Sequence, residues 1–228
     1  FILALKILPD RLESLVADIA NLYDDRTTDI LEGAKRAFAE KGLDGASMQD
    51  LARAAGMSAS NFYRYFASKN AIIEAMIARD LAGVERDFKI VQTSSCPASA
   101  LFEIFRHRID TLETTDGPLW AEIDAAALRR PEICKVVSKM EAEIGQFFCT
   151  VFANISGLDP DEARLRFSGQ AVFLIMLFKA ASQRLSSKGR PMPDDQREHL
   201  RALILQTIEN TLSEIAATNS AAKDEMKS

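Results

Sequence analysis

Residues 47–66 read SMQDLARAAGMSASNFYRYF, and this stretch contains the start and stop signals of two short helices. Ser47 with Asp50 three positions later forms a capping-box pattern, which is typical of the first turn of a helix. Gly56 ends that helix two turns on, because glycine adopts the left-handed backbone conformation at little cost. The first of the two helices is therefore expected to be short.

The second helix of this stretch begins at Ser58, a residue type that caps helix N-termini. Phe62 and Phe66 follow at a spacing of four, so they share one face of the helix and are expected to be buried. Two short helices joined by a tight glycine-containing turn predict a helix-turn-helix over 47–66. The polar residues then share the exposed face: Ser60, Asn61, Tyr63, Arg64 and Tyr65, with Lys69 just beyond.

The local charge of this region differs from that of the whole chain. Residues 45–73 carry three basic side chains and one acidic side chain, a net +2, whereas the chain as a whole has a net charge of −5. Hydroxyl, amide and guanidinium groups bind phosphate oxygens and base edges in the major groove. The second helix is therefore predicted to bind DNA, although the acidic chain as a whole is not typical of a nucleic-acid partner.

The composition of the 228-residue chain excludes several classes of protein. With 47% hydrophobic and 27% charged residues it is of ordinary globular composition, which excludes general disorder. The longest uninterrupted apolar run, 171–178, is far shorter than the ~20 residues that span a bilayer, so no membrane association is expected. Three widely spaced cysteines argue against a disulfide framework and predict a cytoplasmic protein.

The rest of the chain shows helical periodicity throughout. Apolar residues recur every three to four positions and no stretch alternates with a period of two, which predicts an all-α fold. Breaks between the predicted helices, rich in glycine, proline or serine, fall at 93–97, 115–118, 129–131, 154–160 and 186–193. The expected division is an N-terminal extension of one helix over 1–23, a three-helix DNA-binding domain over 24–84, a larger helical domain over 85–217 and a polar tail over 218–228.

The stretch from Arg26 to Ile73 resembles the DNA-binding domain of the TetR family of bacterial transcriptional regulators, over about a fifth of the chain. The residues that carry the resemblance are Ile30-Leu31, Ala34, the run from Phe38 to Gly42, Ser47, Leu51-Ala52, the run from Ala55 to Ser58, Phe62-Tyr63, Tyr65-Phe66 and Ser68-Lys69. The chain departs from the residues common in the family at Ser60, Asn61, Tyr65 and Ala67. Some of these positions face the DNA, so the departures affect which operator sequence is expected and leave DNA binding itself unaffected.

The resemblance implies roles for individual residues. Thr28 and Ser47 would touch phosphate through helix caps, and Tyr63 and Lys69 would hold the DNA backbone. The exposed positions of the second helix would approach bases or their phosphates. The full set of expected DNA-binding residues is Thr28, Ser47, Gln49, Ser58, Ala59, Ser60, Asn61, Tyr63, Arg64, Tyr65 and Lys69.

The remaining helices would, by the same resemblance, form an effector-binding and dimerisation domain. Their aromatic residues are expected mainly in the core, but facing helices lined by aromatics and methionine also form apolar ligand cavities. The candidate cavity residues are Phe102, Phe105, Trp120, Phe147, Phe173 and Met176.

Dimerisation is predicted through the last two helices, about 160–186 and 194–217. The first of them is apolar nearly all round, so a second chain is expected to cover it in a four-helix bundle across a two-fold axis. The helix from Ser68 to about Val91 connects the DNA-binding domain to the larger domain. We expect its tilt to transmit ligand binding to the DNA-binding helices.

The predicted function is therefore a homodimeric repressor released from its operator by a small, largely apolar ligand, with no cofactor, no metal and no catalytic role. Gly56–Ser60 only nearly matches a nucleophile elbow, since Ser60 stands where glycine is needed and a helix precedes it instead of a strand. The alternative is a DNA-binding protein whose helical domain binds a protein partner and no small ligand. An enclosed aromatic cavity favours the first function, and a filled core with an exposed apolar patch favours the second.

Overall fold

A computed structural model describes residues 25–112, 116–186 and 191–225 of the chain, and the helix expected over 1–23 lies outside this part. Within the described residues every regular element is an α-helix, which confirms the predicted all-α fold. The helices are α1 (Asp25–Gly45), α2 (Met48–Ala54), α3 (Ala59–Tyr65), α4 (Lys69–Thr93), α5 (Pro97–Asp110), α6 (Asp116–Ala127), α7 (Pro131–Ser156), α8 (Pro160–Leu185) and α9 (Asp194–Glu225).

Three helix boundaries show how far the sequence signals apply. Gly42 has φ 73° and ψ 163°, so the regular part of α1 ends at this glycine and one further turn reaches Gly45. The expected break up to Pro118 is too long, because α6 begins at Asp116 and the proline lies in its first turn, where no hydrogen-bonded N–H is required. The last helix continues to Glu225, beyond residue 217, where its apolar pattern ends.

Two hydrophobic cores hold the helices together. The first core joins α1–α4 to α6 and the first half of α7, and the second core joins the end of α4 to α5, α7, α8 and α9. The largest buried residues of the first core include Ile30, Phe38, Leu51, Phe62, Ile72, Ile73 and Ile123. Those of the second include Val91, Phe152, Leu174, Ile208 and Ile215. The helix-turn-helix therefore shares its core with helices of the larger domain.

Helix α8 is the one described helix with the length and mean hydropathy of a membrane span. Its position in the fold argues for a bundle helix instead. Lys179 forms ion pairs with Asp124 of α6 and Glu141 of α7, both at 2.7 Å, and a charged group in this position suits a helix packed among partners. The side chains of Phe167 and Leu174 are buried in the second core.

Candidate nucleic-acid interface and ligand cavity

The helix-turn-helix is held by the predicted caps. The Ser47 hydroxyl accepts a hydrogen bond from the Asp50 amide at 3.1 Å, and the Asp50 carboxylate accepts one from the Ser47 amide at 3.0 Å, which completes the capping box. Gly56 has φ 66° in the turn between the helices. The Ser58 hydroxyl then caps α3 by accepting from the Asn61 amide at 3.3 Å. Local hydrogen bonds thus determine where each of the two helices begins.

Helix α3 presents a polar and aromatic face to solvent. Phe62 is fully buried and Phe66 is 7% exposed, with their ring centroids 6.1 Å apart. Tyr63 is 52% exposed and Tyr65 42% exposed, although tyrosine rings are commonly at least half buried in a core. The other exposed positions predicted on this face are Ser60, Asn61 and Arg64. The two-faced pattern is that of a helix anchored by one side and free to enter a groove with the other.

The acidic side chain in the first turn of α2, Asp50, has two basic neighbours. The Lys41 ammonium lies 2.6 Å from the Asp50 carboxylate, and the Arg53 guanidinium lies 3.5 Å from it. The hydrogen bond from Lys41, together with those from the Ser47 hydroxyl and amide, holds the pKa of Asp50 well below its ordinary value. Asp50 is therefore ionised across the whole physiological range and keeps the cap in place.

Lys69 begins α4 and reaches back to the end of α1. Its Nζ donates to the Leu43 carbonyl at 2.7 Å and to the Asp44 carbonyl at 3.2 Å, where a helix C-terminus favours a cation. Carbonyl groups do not neutralise its positive charge. Contact of Lys69 with DNA phosphate stays a prediction, and the structure adds a second role for this residue in joining α4 to the α1–α2 turn.

The other predicted DNA-binding residues lie around the same surface. Ser47, Gln49 and Ser58 are exposed, while Thr28 and Ala59 are half-buried. The Thr28 carbonyl accepts a hydrogen bond from Arg79 of α4 at 3.4 Å, and Arg79 also pairs with Glu32 at 2.5 Å. These two contacts join α4 to the start of α1.

Residues 30–76 match the family described as bacterial regulatory proteins of the tetR family, over the segment that contains this geometry. This segment is of the TetR type. It is 49% identical over 47 residues to the HTH-type transcriptional regulator YvdT of Bacillus subtilis, a match that covers 21% of this chain and 24% of that protein. The chain spans between a quarter and a half of the length of the first curated relatives that it matches.

Solved TetR-family structures share the fold over most of the chain. GusR of Salmonella enterica superposes with a TM-score of 0.62 at 21% identity, covering 85% of this chain and 96% of that one. AibR, solved in complex with isovaleryl coenzyme A and operator DNA, superposes with a TM-score of 0.57 at 19% identity, covering 80% and 97%. At these identities the likeness establishes the TetR-type fold of the larger domain and no more.

The larger domain contains a partly open cavity of about 280 Å³ between α4, α5, α6, α7 and α8. Its wall is mainly apolar and includes Val84, Phe88, Phe105, Trp120, Phe148 and Phe178. Two of the six candidate cavity residues, Phe105 and Trp120, are thus on the wall. The α4 residues of the wall were not anticipated, because their apolar stripe is also what a packed helix requires.

The other four candidates do not line the cavity. Phe102 and Phe147 are half-buried against the second core, while Phe173 is 43% and Met176 63% exposed. Each is a direct neighbour of a residue that does line it, respectively Leu101, Phe148, Leu174 and Ile175. One position along an α-helix turns the side chain by about 100°, so these four residues lie on helices that line the cavity but are not themselves part of its wall. Their contact with a ligand stays a prediction.

The charged groups of the cavity wall are paired. Arg108 of α5 donates to the Asp87 carboxylate of α4, with its Nε at 2.6 Å and its Nη2 at 2.5 Å. Lys179 of α8 lies 2.7 Å from both Asp124 and Glu141. Burial works against the charge of Lys179, but its hydrogen bonds to the two carboxylates outweigh burial and raise its pKa. Lys179 is therefore a permanent cation held by two anions.

Helix α6 connects the cavity to the end of α1, which directly precedes the helix-turn-helix. Its Glu122 carboxylate accepts a hydrogen bond from the Leu43 amide at 3.1 Å, and Arg130, just after α6, pairs with Asp44. We call these two contacts the α6 clasp. Trp120, on the same helix, lines the cavity. The clasp was not anticipated from the sequence, since its partners lie 79 and 86 positions apart.

Proposed function

We propose that this chain is a homodimeric transcriptional repressor of the cytoplasm that binds operator DNA through α3 and releases it when a small, largely apolar ligand enters the cavity. The observation that carries the proposal is α3 itself, which buries Phe62 and Phe66 and exposes Asn61, Tyr63 and Arg64. The protein acts by binding alone and performs no catalysis. Residues 24–84 form its DNA-binding domain and residues 85–217 its effector-binding and dimerisation domain.

The DNA contacts divide into two kinds. Asn61 and Arg64 approach base edges in the major groove, where amide and guanidinium groups form bidentate hydrogen bonds. Tyr63 and Lys69 bind phosphate, as do the capped helix starts at Thr28 and Ser47. Gln49, Ser58, Ala59, Ser60 and Tyr65 complete the predicted surface.

The dimer forms through the outer faces of α8 and α9. Leu165 is 82% exposed, Val172 55%, Met176 63% and Leu203 of α9 47%, in a single protomer. The α8 residues recur at spacings of seven and four, so they line one side of that helix. A contiguous apolar face of this kind favours burial against a second copy by a two-fold axis.

The dimer face can be tested with a matched pair of variants. Met176→Glu places a charge in the proposed interface, and we expect it to yield monomers in sedimentation velocity at micromolar concentration. Leu128→Glu changes an apolar residue that is 89% exposed and lies outside α8 and α9, and it is expected to remain dimeric. A wild-type monomer at these concentrations would overturn the dimer.

Ligand binding reaches the DNA through two connections. Helix α4 runs from Lys69, at the α1–α2 turn, to Phe88 in the cavity wall, and α6 runs from Trp120 in the wall to the clasp. A ligand that separates α4 from α6 in the cavity changes the position of the α1–α2 turn, and with it α3. The effect depends on the difference in ligand affinity between the two arrangements.

The DNA-binding function is tested by selecting operator sequences from random DNA with the full chain and measuring affinity at several salt concentrations. Arg64→Ala should weaken the selected operator by ~1–3 kcal/mol and alter the preferred base. Arg106→Ala, at an exposed arginine on α5, serves as the control and should leave affinity unchanged. Equal losses in both variants would contradict the assignment of α3. If operator binding never responds to any ligand of the cavity, the protein-partner alternative applies instead.

A further inference from the structure

The charged groups around the cavity indicate the class of ligand, an inference that rests on the proposed ligand-responsive function. We propose that the cavity binds an uncharged, largely apolar molecule with a hydrogen-bond acceptor, and that it rejects anions. Arg108, Asp87 and Lys179 are the charged wall residues that carry this inference. Asp80 also contributes to the wall and is exposed to solvent, where a ligand charge is screened.

An anionic ligand at either wall cation must approach a carboxylate that is already paired with it. Arg108 Nε donates to Asp87 Oδ2 at 2.6 Å, its Nη2 lies 2.5 Å from the same oxygen, and the pair is partly buried, at 32% and 28% exposure. A ligand carboxylate or phosphate that took over Arg108 would leave the Asp87 carboxylate without its partner. Breaking one member of such a pair is costly, because the remaining charge is left uncompensated.

Lys179 opposes an anion more strongly. Two carboxylates, those of Asp124 and Glu141, lie 2.7 Å from one ammonium, so the three groups together carry a net charge of −1. An anionic head group brought to Lys179 would be repelled by both carboxylates. A cationic ligand would compete with the resident cations, since Asp87 Oδ2 is engaged by Arg108, and Asp124 Oδ1 and Glu141 Oε1 are engaged by Lys179.

A neutral oxygen is the group that this arrangement accommodates. A lysine ammonium has three N–H donors, and the two ion pairs of Lys179 use two of them. A carbonyl, ether or hydroxyl oxygen can accept the third without displacing a carboxylate. The remaining wall is mainly aliphatic and aromatic, with hydroxyl groups from Thr111 and Ser182. The cavity volume of about 280 Å³ equals that of roughly nine water molecules at ~30 Å³ each, which suits one or two rings.

This class of ligand differs from that of AibR, whose structure contains isovaleryl coenzyme A. A coenzyme A thioester carries anionic phosphate groups, and Arg108 and Lys179 are both paired here. The shared fold therefore does not imply a shared ligand.

Two dyes that differ by a single sulfonate test the proposal directly. Phenylnaphthylamine is uncharged and anilinonaphthalene sulfonate is its anionic counterpart, while ethidium supplies an aromatic cation. The chain has one tryptophan, Trp120, in the cavity wall, so energy transfer from Trp120 reports a dye bound there. We expect the chain to bind the uncharged dye at least about tenfold more tightly than the other two, because each charged dye must compete with an existing ion pair of the wall.

Removing the two carboxylates should change the charge preference. In the double variant Asp124→Asn, Glu141→Gln, Lys179 loses its anionic partners, so affinity for the sulfonate dye should rise about tenfold while affinity for the uncharged dye changes little. If the double variant folds poorly, the single variant Glu141→Gln can be measured in its place. It should show part of the rise in affinity for the sulfonate dye. Glu143→Gln, at an exposed ion pair on the same helix, is the control and should leave all three affinities unchanged.

The outcomes separate the two levels of the proposal. If the sulfonate dye or ethidium binds the wild type as tightly as the uncharged dye, the ligand class is wrong while ligand binding itself stands. If no dye transfers energy from Trp120 and none competes with another, the cavity is not a ligand site and the ligand-responsive function fails with it. A sulfonate affinity that is the same in the double variant as in the wild type would show that Lys179 does not determine the charge preference.

Discussion

The helix-turn-helix and the ligand cavity are stabilised by contacts of different range. The caps at Ser47, Ser58 and Ser68 each join residues three positions apart in the chain. The ion pairs of the cavity wall join different helices, with Arg108 bonded 21 positions away to Asp87 and Lys179 bonded 38 positions away to Glu141. One region is a local unit, and the other exists only where five helices meet.

This difference determines which region can change shape. A unit held by bonds within a few residues keeps its geometry when the helices around it shift, so α2 and α3 move as one body. The cavity changes whenever any of its helices moves relative to another. Under the proposed function, the surface of α3 is therefore repositioned without a change in its own structure, and the change of shape takes place in the cavity. Four predictions test this comparison.

The largest effect is expected in the core beneath α3. Phe62→Ala removes a fully buried ring from the first core and should lower the free energy of unfolding by ~3–5 kcal/mol. The measurement is urea denaturation followed by Trp120 fluorescence, since Trp120 packs against the same core. Tyr63→Ala, the exposed neighbour, is the control and should change stability by at most ~0.5 kcal/mol. Similar losses in the two variants would contradict the assigned faces of α3.

The next largest effect on stability is expected where α1 packs against α2. A β-carbon at Gly33 would lie 2.7 Å from the Ala54 carbonyl oxygen and from the Ala55 α-carbon, both of which are backbone atoms. Gly33→Ala should therefore force the two helices apart and cost ~1–3 kcal/mol in urea denaturation. Gly145→Ala is the matched control in α7, where no atom lies within 4 Å, and it should be neutral or stabilising by ~0.5–1 kcal/mol. An unchanged stability of Gly33→Ala would show that the packing of α1 against α2 tolerates expansion.

A smaller effect is expected at the α6 clasp, which joins the two regions. Glu122→Ala removes the acceptor for the Leu43 amide and should cost about 1 kcal/mol. Hydrogen exchange should become faster at the amides of Leu43 and Asp44 while those within α3 keep their protection. Glu143→Ala on α7 is the control. Faster exchange throughout α2 and α3 would indicate that the helix-turn-helix is not an independent unit.

The smallest effect concerns pH. Because the pKa of Asp50 is lowered in the folded protein, its contribution to stability is present above its unfolded pKa of ~3.9 and is lost as pH falls through the lower folded value. The difference in denaturation midpoint between wild type and Asp50→Asn should therefore be larger at pH 6 than at pH 3. An unchanged difference would mean that the carboxylate charge does not stabilise the cap.

The range of the contacts also explains which features could be predicted from the sequence. The caps, the turn at Gly56 and the buried face of α3 depend on residues within a few positions, and each was predicted correctly. The cavity depends on the phase of several helices at once. Phe173 and Met176 occupy the outer face of α8, which is as apolar as an inner face, so composition alone could not separate the two.

The clasp marks the limit of inference from one sequence. Glu122 and Arg130 are ordinary charged residues on a helix and a loop, and nothing near them in the chain indicates that they meet Leu43 and Asp44. A contact between residues about 80 positions apart becomes visible only once the helices are packed. The DNA-binding residues, in contrast, could be proposed at once, because the whole surface lies within one local unit.

The shared first core restricts where such a protein can be recombined with another. Leu119 and Ile123 of α6, with Ile133 and Val137 of α7, pack into the same core as Phe62. In a chimera joined after residue 84, the grafted N-terminal segment, with α1–α3 and the first part of α4, would pack against α6 and α7 of another protein. One way to exchange DNA specificity between relatives is therefore to transfer these four side chains together with the N-terminal segment. The other is to confine the substitutions to the exposed face of α3.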